Sequence, residues 1–354
     1  MSPRDLGRRS LTPARVLGLC GAFLLLLLAA VLLAATFGEW VLPLSEAFTR
    51  PGSTNSRVFW EVRLPHVLLA SIVGAGLAAS GSTLQGVLRN PLADPFILGV
   101  SGGAALGATL AIALGLARVD EVAPGLGGGL ARISAPALFA FIGAVAAMLF
   151  VLAVSRGHGS RAPYAALLTG VIFNTFAAAA ITLIKTVSGR ERLEVILSWL
   201  AGNLGPEEPG TLVLSALLQA VVIGVMVALS GQLNLLTLGD EDAGSLGVTV
   251  ARTRQWLLLA ASASVAGAVT LSGLVGFVGL VVPHLLRLIL GPDQRLLVPL
   301  SALGGAVFLV LSDLLARLLY PLFGEGIPVG VVTALLGGPL FLVLLYRSGR
   351  LTAG

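Results

Sequence analysis

The chain has 354 residues, of which 56% are hydrophobic and 11% charged, with a formal net charge of +5. Soluble domains carry roughly a quarter charged residues, so this composition excludes an ordinary water-soluble globular protein. The positive charge has its simplest cause in arginine-rich cytoplasmic loops and does not call for nucleic acid.

A hydrocarbon core about 30 Å thick needs roughly 20 apolar residues per helical crossing. Such spans recur at residues 16–37, 64–87, 94–117, 135–154, 163–187, 210–230, 255–275, 277–290, 296–320 and 327–346. They predict an all-α polytopic membrane protein of about ten transmembrane helices. The first span follows a basic start (Arg4, Arg8, Arg9, Arg15), a pattern shared with cleaved secretory signals. Its apolar run exceeds a signal core and no small-x-small site closes it, so it reads as a permanent helix. Cys20 lies inside it and is the only cysteine, which excludes disulfides within the chain and cysteine-based metal sites. The stretch 118–133, with charge, proline and a glycine run, reads as an exposed outer loop. The eighth span is short and holds Pro283, so it is expected to be tilted, broken or partly buried by its neighbours.

These spans divide the chain into a cytoplasmic N-terminus (1–15), a transmembrane domain (16–346) and a cytoplasmic C-terminus (347–354). With the N-terminus inside, thirteen Lys and Arg fall in the cytoplasm and eight outside, with Arg317 left over near the outer end of the ninth helix. That bias favours both termini in the cytoplasm. Glycines lie within the apolar segments (Gly74, Gly76, Gly81, Gly304, Gly305), as expected where helices approach closely in lipid. Ser80-Gly81 followed by Pro91 recurs as Ser272-Gly273 followed by Pro283, which points to an inverted repeat of helices two to five and seven to ten.

Lys185, the single lysine, follows no glycine-rich phosphate loop, so the chain has no nucleotide site of the Walker type. Ion coupling would place ionisable groups near the bilayer midplane, and the candidates are Asp313 and Arg317, one helical turn apart, with His66 and His284 near helix ends. A structural ion pair explains Asp313 and Arg317 as well as a relay does. The rivals are thus a self-sufficient secondary carrier and a haem-binding subunit with His66 and His284 as axial ligands. The segment 234–254 is the longest polar stretch on the cytoplasmic side. Asp240, Glu241 and Asp242 suit a helix N-terminus, and Leu246-Gly247-Val248 suits its close. A short surface helix between two spans could act as a lever or be a solvated connection.

The run Arg63-Leu64-Pro65-His66, Ser80-Gly81, Leu84-Gln85-Gly86, Arg89-Asn90-Pro91-Leu92-Ala93-Asp94-Pro95 and Leu98 to Ala104 closely resembles the permeases of iron-siderophore, haem and cobalamin ABC importers. The likeness continues through Ser198 to Gly202, Gly239 to Gly247, Ser272 to His284, Asp313, Arg317 and Ile327 to Pro339. The family's first motif often ends in arginine where this chain has His66. The resemblance implies a homodimeric permease of the inner membrane that passes an intact metal chelate by alternating access. It also implies cytoplasmic ATP-binding subunits that hold ATP-Mg, and a periplasmic or lipid-anchored substrate-binding protein. The permease would be no enzyme and hold no cofactor or metal; the cargo would be an iron-siderophore or haem, with cobalamin as the alternative. It assigns ATPase coupling to Gly239, Asp240, Glu241, Ala243, Leu246 and Gly247, and a cytoplasmic gate to Asn90, Pro91 and Leu92. The translocation pathway falls to Ser101, Gly102 and Gly103, and docking of the binding protein to Arg63 and Arg317.

Overall fold

A computed structural model describes residues 12–38, 41–118, 134–156, 162–205 and 207–352. Its helices are α1 (Pro13–Thr36), α2 (Leu44–Thr49), α3 (Thr54–Arg57), α4 (Leu64–Val87), α5 (Val100–Ala113), α6 (Ala135–Ser155), α7 (Ala162–Val187), α8 (Arg190–Leu200), α9 (Pro209–Ala228), α10 (Ser230–Leu238), α11 (Asp240–Ser245), α12 (Val250–Ser272), α13 (Val278–Leu290), α14 (Gln294–Leu318), α15 (Tyr320–Phe323) and α16 (Val329–Thr352). A π-helical turn, Val58–Arg63, leads into α4, and a 3-10 turn, Pro95–Leu98, precedes α5. The ten spans correspond to α1, α4, α5, α6, α7, α9, α12, α13, α14 and α16. Among the described residues seven helices are long and apolar enough to cross a membrane; the apolar parts of α5, α13 and α16 are shorter.

The third span is therefore corrected from 94–117 to Val100–Ala113. Pro91 and Pro95 bar a continuous helix, Asp94 caps the 3-10 turn by accepting from Phe96 N (2.8 Å), and Gly99 turns the chain at φ +83°. The eighth span is continuous through Pro283. Proline at 283 cannot donate to the Gly279 carbonyl four residues back, and Gln85 Nε2 reaches that oxygen instead, at 3.4 Å. Residues 278–284 and 286 are all buried, so neighbouring helices shield this short segment from lipid. The sequence reading passed over the amphipathic α8 and the break at Leu229 that separates α10 from α9. The loop expected at 118–133 lies, from 119 on, outside the described residues; Arg118 and Ser134 pair at its base.

Helix packing follows the internal repeat. When α4, α5, α6 and α7 are exchanged with α12, α13, α14 and α16 in order, the contact α4–α14 becomes α12–α6. In the same way α5–α6 becomes α13–α14, α5–α7 becomes α13–α16, and α4–α13 becomes α12–α5; every one of these pairs is packed. The second and seventh spans, α4 and α12, are five crossings apart, so alternate crossing of a membrane sets them antiparallel, as in an inverted repeat.

The core is centred on α4, buried without interruption from Gly76 to Leu88. Its glycines set the approach distance: a Cβ on Gly74 would overlap the Gly305 carbonyl of α14, and one on Gly81 the Gly279 carbonyl of α13. Several buried hydroxyls on its faces find partners within the bundle, since lipid offers none. Ser80 Oγ donates to Gly76 O (2.7 Å) and Ala261 O (3.1 Å), and Ser264 Oγ donates to Gln219 Oε1 (2.5 Å).

Candidate functional site

At one end of the bundle, α10 and α11 form a short polar unit between α9 and α12. Asn234 anchors it to the start of α14: Nδ2 donates to Asp293 Oδ1 (2.7 Å) and Oδ1 accepts from Gln294 N (2.8 Å). Three acidic residues, Asp240 to Asp242, open α11, where the exposed amides of a first turn favour negative charge. The helix closes on Gly247 at φ +86°, with Val248 N bonded to Ala243 O (3.0 Å) and Gly247 N to Gly244 O (3.0 Å). Glu241, Asp242, Leu246 and Gly247 are exposed, whereas Ala243 faces inward and is fully buried.

Asp240 also turns inward. Its Oδ1 accepts from Arg254 of α12 (2.7 Å) and from Arg89, just beyond α4. The Arg254 hydrogen bond, helped by Arg89, holds this carboxyl below the usual carboxylate range. A depressed carboxylate stabilises the fold at every pH above its unfolded value. That contribution fades only as pH falls through the lowered one, so the clamp stays charged throughout the neutral range. Beside it the turn Asn90–Ala93 is stiffened by Leu92 N donating to Asn90 Oδ1 (2.9 Å), and Asn90, Pro91 and Leu92 are all exposed. The expected coupling and gate residues thus meet at one end of the molecule, joined through Arg89.

At the other end, Arg63, His66, Asp313 and Arg317 line a cavity of about 310 Å³ together with Asn203 and Tyr320. Asp313 is shared: Oδ1 pairs with His66 Nε2 (2.9 Å) and Oδ2 accepts from Arg317 Nε (3.0 Å). Both guanidinium groups also hold the last turn of α1. Arg63 donates to Ala35 O (3.2 Å) and Thr36 O (2.8 Å), and Arg317 to Ala34 O (3.1 Å). A helix end leaves its final carbonyls unpaired, and these arginines satisfy them. Arg63 is only 6% exposed, and it reaches solvent through the cavity it shares with Arg317. Arg317→Met is accordingly expected to destabilise the bundle by about 2 kcal/mol, because it strips Asp313 of a charged hydrogen-bond partner and leaves the Ala34 carbonyl without its donor. The exposed Arg50→Met should leave the thermal midpoint of the detergent-solubilised protein unchanged.

The FecCD transport family profile matches residues 25–347. This chain belongs to the FecCD transport family. The members are membrane permeases of ABC importers. It is 40% identical over 340 residues to the hemin transport system permease protein HmuU of Yersinia pestis, covering 94% of this chain and 97% of that one. It is 43% identical over 286 residues to the cobalamin import system permease protein BtuC of Halobacterium salinarum, covering 80% and 72%. A solved structure of an inward-facing metal-chelate type ABC transporter superposes with a TM-score of 0.78 at 32% identity, over 94% of this chain and 99% of the other.

Within this FecCD permease, the three residues expected on the pathway are used for packing. Gly103 lies against Gly143 of α6 with no room for a Cβ, and Gly102 against Asn174 of α7. Ser101 is buried and its Oγ donates to Phe96 O (3.1 Å). Glycines at the start of this short helix allow close approach to its neighbours. His66 is committed to Asp313, and His284 lies on α13 against the Phe341 ring, 5.8 Å between centroids. Arg89, Arg254, Gln85 and Asn174 carry cross-links that the sequence reading did not single out. Arg89 and Gln85 stood inside quoted motifs, but only the partners at Asp240 and Gly279 give them a role.

Proposed function

We propose that this chain moves an iron-siderophore or haem across the inner membrane, as one of two copies around a central pathway. Two cytoplasmic ATPase subunits drive it, and a substrate-binding protein delivers the cargo from outside. Both termini are cytoplasmic in this reading, and ATP-Mg is held by the partner subunits. The observation that carries it is the exposed α11. Glu241, Asp242 and Leu246 project from a short helix whose other side is pinned through Asp240, so a force applied to that helix reaches the bundle. Gly239 and Gly247 bound this helix and complete the surface offered to an ATPase cleft. Asn90, Pro91 and Leu92, exposed at the same end, fit an inner gate. Docking of the binding protein at the opposite end works through the cavity that Arg63 and Arg317 line, where rim charge governs association rate more than affinity. A cobalamin cargo is the second reading, favoured by the 43% identity to a cobalamin permease.

The test is vesicles containing this chain and its ATPase, supplied with binding protein loaded with haem, a ferric siderophore or cobalamin. ATP-dependent accumulation of haem or siderophore is the expected result. Accumulation of cobalamin alone would replace the cargo, and accumulation without the ATPase would replace the mechanism by that of a secondary carrier.

A further inference from the structure

Arg89 occupies a position that glycine ordinarily fills. It follows the last turn of α4, with Arg89 N bonded to Gly86 O (3.2 Å), Asn90 N bonded to Gln85 O (3.1 Å) and φ at +50°. A left-handed backbone is strained for a residue with a Cβ and unstrained for glycine. Backbone strain of this kind persists where the surrounding structure demands that side chain. The demand is visible here: Nε donates to Leu236 O of α10 (2.8 Å) and the guanidinium pairs with Asp240 of α11.

From Arg89 the chain runs directly into rigid parts. The turn Asn90–Ala93 is closed by Ala93 N bonded to Asn90 O (3.1 Å), and Asp94 then caps the 3-10 turn Pro95–Leu98. The Phe96 carbonyl of that turn accepts from Asn174 Nδ2 of α7 (2.8 Å), and the Ile97 carbonyl lies against Gly170 of the same helix. Pro95 packs on Gly279 of α13. A displacement of α11 therefore has a continuous stiff route through one side chain to the turn, and from the turn to α7 and α13. Arg254, buried on α12, bonds the same Oδ1 of Asp240, so α11 remains seated when Arg89 is removed.

From this geometry we infer that Arg89 is the positioning residue that transmits movement of α11 to the inner turn 90–93 and to α7. The inference rests on the reading of α11 as the ATPase-contacting helix. Without Arg89 the ATPase binds and hydrolyses ATP, but the inner end of the pathway does not follow.

The experiment uses the full importer in vesicles and measures cargo taken up per ATP hydrolysed, ATPase retention on purification and the thermal midpoint. Arg89→Gly relieves the strained backbone and removes the link, so the midpoint should stay level or rise. Uptake per ATP should then fall by about tenfold, the scale on which residues between coupled sites act. A merely structural defect lowers uptake and hydrolysis together and leaves their ratio unchanged. Arg89→Lys keeps the charge and should restore part of the ratio; Arg89→Gln serves as a second removal variant if the glycine variant folds poorly. An unchanged ratio in Arg89→Gly or Arg89→Gln overturns the inference, and so does loss of the ATPase on purification, which would make Arg89 a docking residue. Leu246→Asp, measured alongside, separates the two levels: normal assembly and uptake in that variant removes the reading of α11 itself.

Discussion

Leu246→Asp is expected to cut ATP-driven uptake by more than about tenfold, the loss that follows when one apolar anchor is removed from a protein interface. Leu246 is 59% exposed at the end of α11, a large apolar side chain on a helix that is otherwise acidic and small. Nothing in the bundle depends on it, because the turn after α11 is closed by backbone bonds from Gly247 and Val248. The variant should therefore insert and fold as the parent does, and the defect should appear as loss of the ATPase during purification. A lone exposed leucine in water would be unremarkable. Beside Glu241 and Asp242, on a helix pinned from within, it would be the apolar centre of the contact surface proposed for the ATPase. Uptake at the parental rate in this variant would show that α11 is a solvated connection.

Gly81→Val is expected to be the most damaging single change to the fold, at about 3 kcal/mol or more. The obstacle at this position is the Gly279 carbonyl, part of the α13 backbone, which cannot turn aside as a flexible side chain can. Separating α4 from α13 would also carry Gln85 away from the carbonyl that Pro283 leaves without its helical donor. Overpacking and an unpaired buried carbonyl then add in one place. Gly224→Ala in α9 is the control, since a Cβ there meets nothing within 4 Å. Helix propensity favours alanine at such a site. The readout is the monodisperse fraction and thermal midpoint in detergent: collapse for Gly81→Val, no loss for Gly224→Ala. Equal behaviour of the two would mean that the helices are not as closely packed as the backbone geometry requires.

The amino-acid sequence by itself determined the solvent, the ten apolar segments and the absence of a nucleotide loop, because each follows from local composition and hydrocarbon thickness. It also carried the acidic opening and glycine close of α11, since helix caps depend on neighbouring residues alone; the repeat itself shows in the helix packing, for Ser80-Gly81 lies inside α4 whereas Ser272-Gly273 ends α12. Tertiary structure decided what lies far apart along the chain. Asp240 belongs to the segment read as a surface lever, yet its carboxylate faces Arg89 and Arg254. Arg63 and Arg317 read as outward charges, yet they close the end of α1, residues distant in sequence whose free carbonyls no local pattern announces. Ser101, Gly102 and Gly103 read as pathway, yet they are held by Phe96, Asn174 and Gly143. In lipid a buried polar group or a bare backbone must find its partner within the protein. Hydrophobicity marks where a helix crosses, and only the packed bundle decides which partner each such group meets.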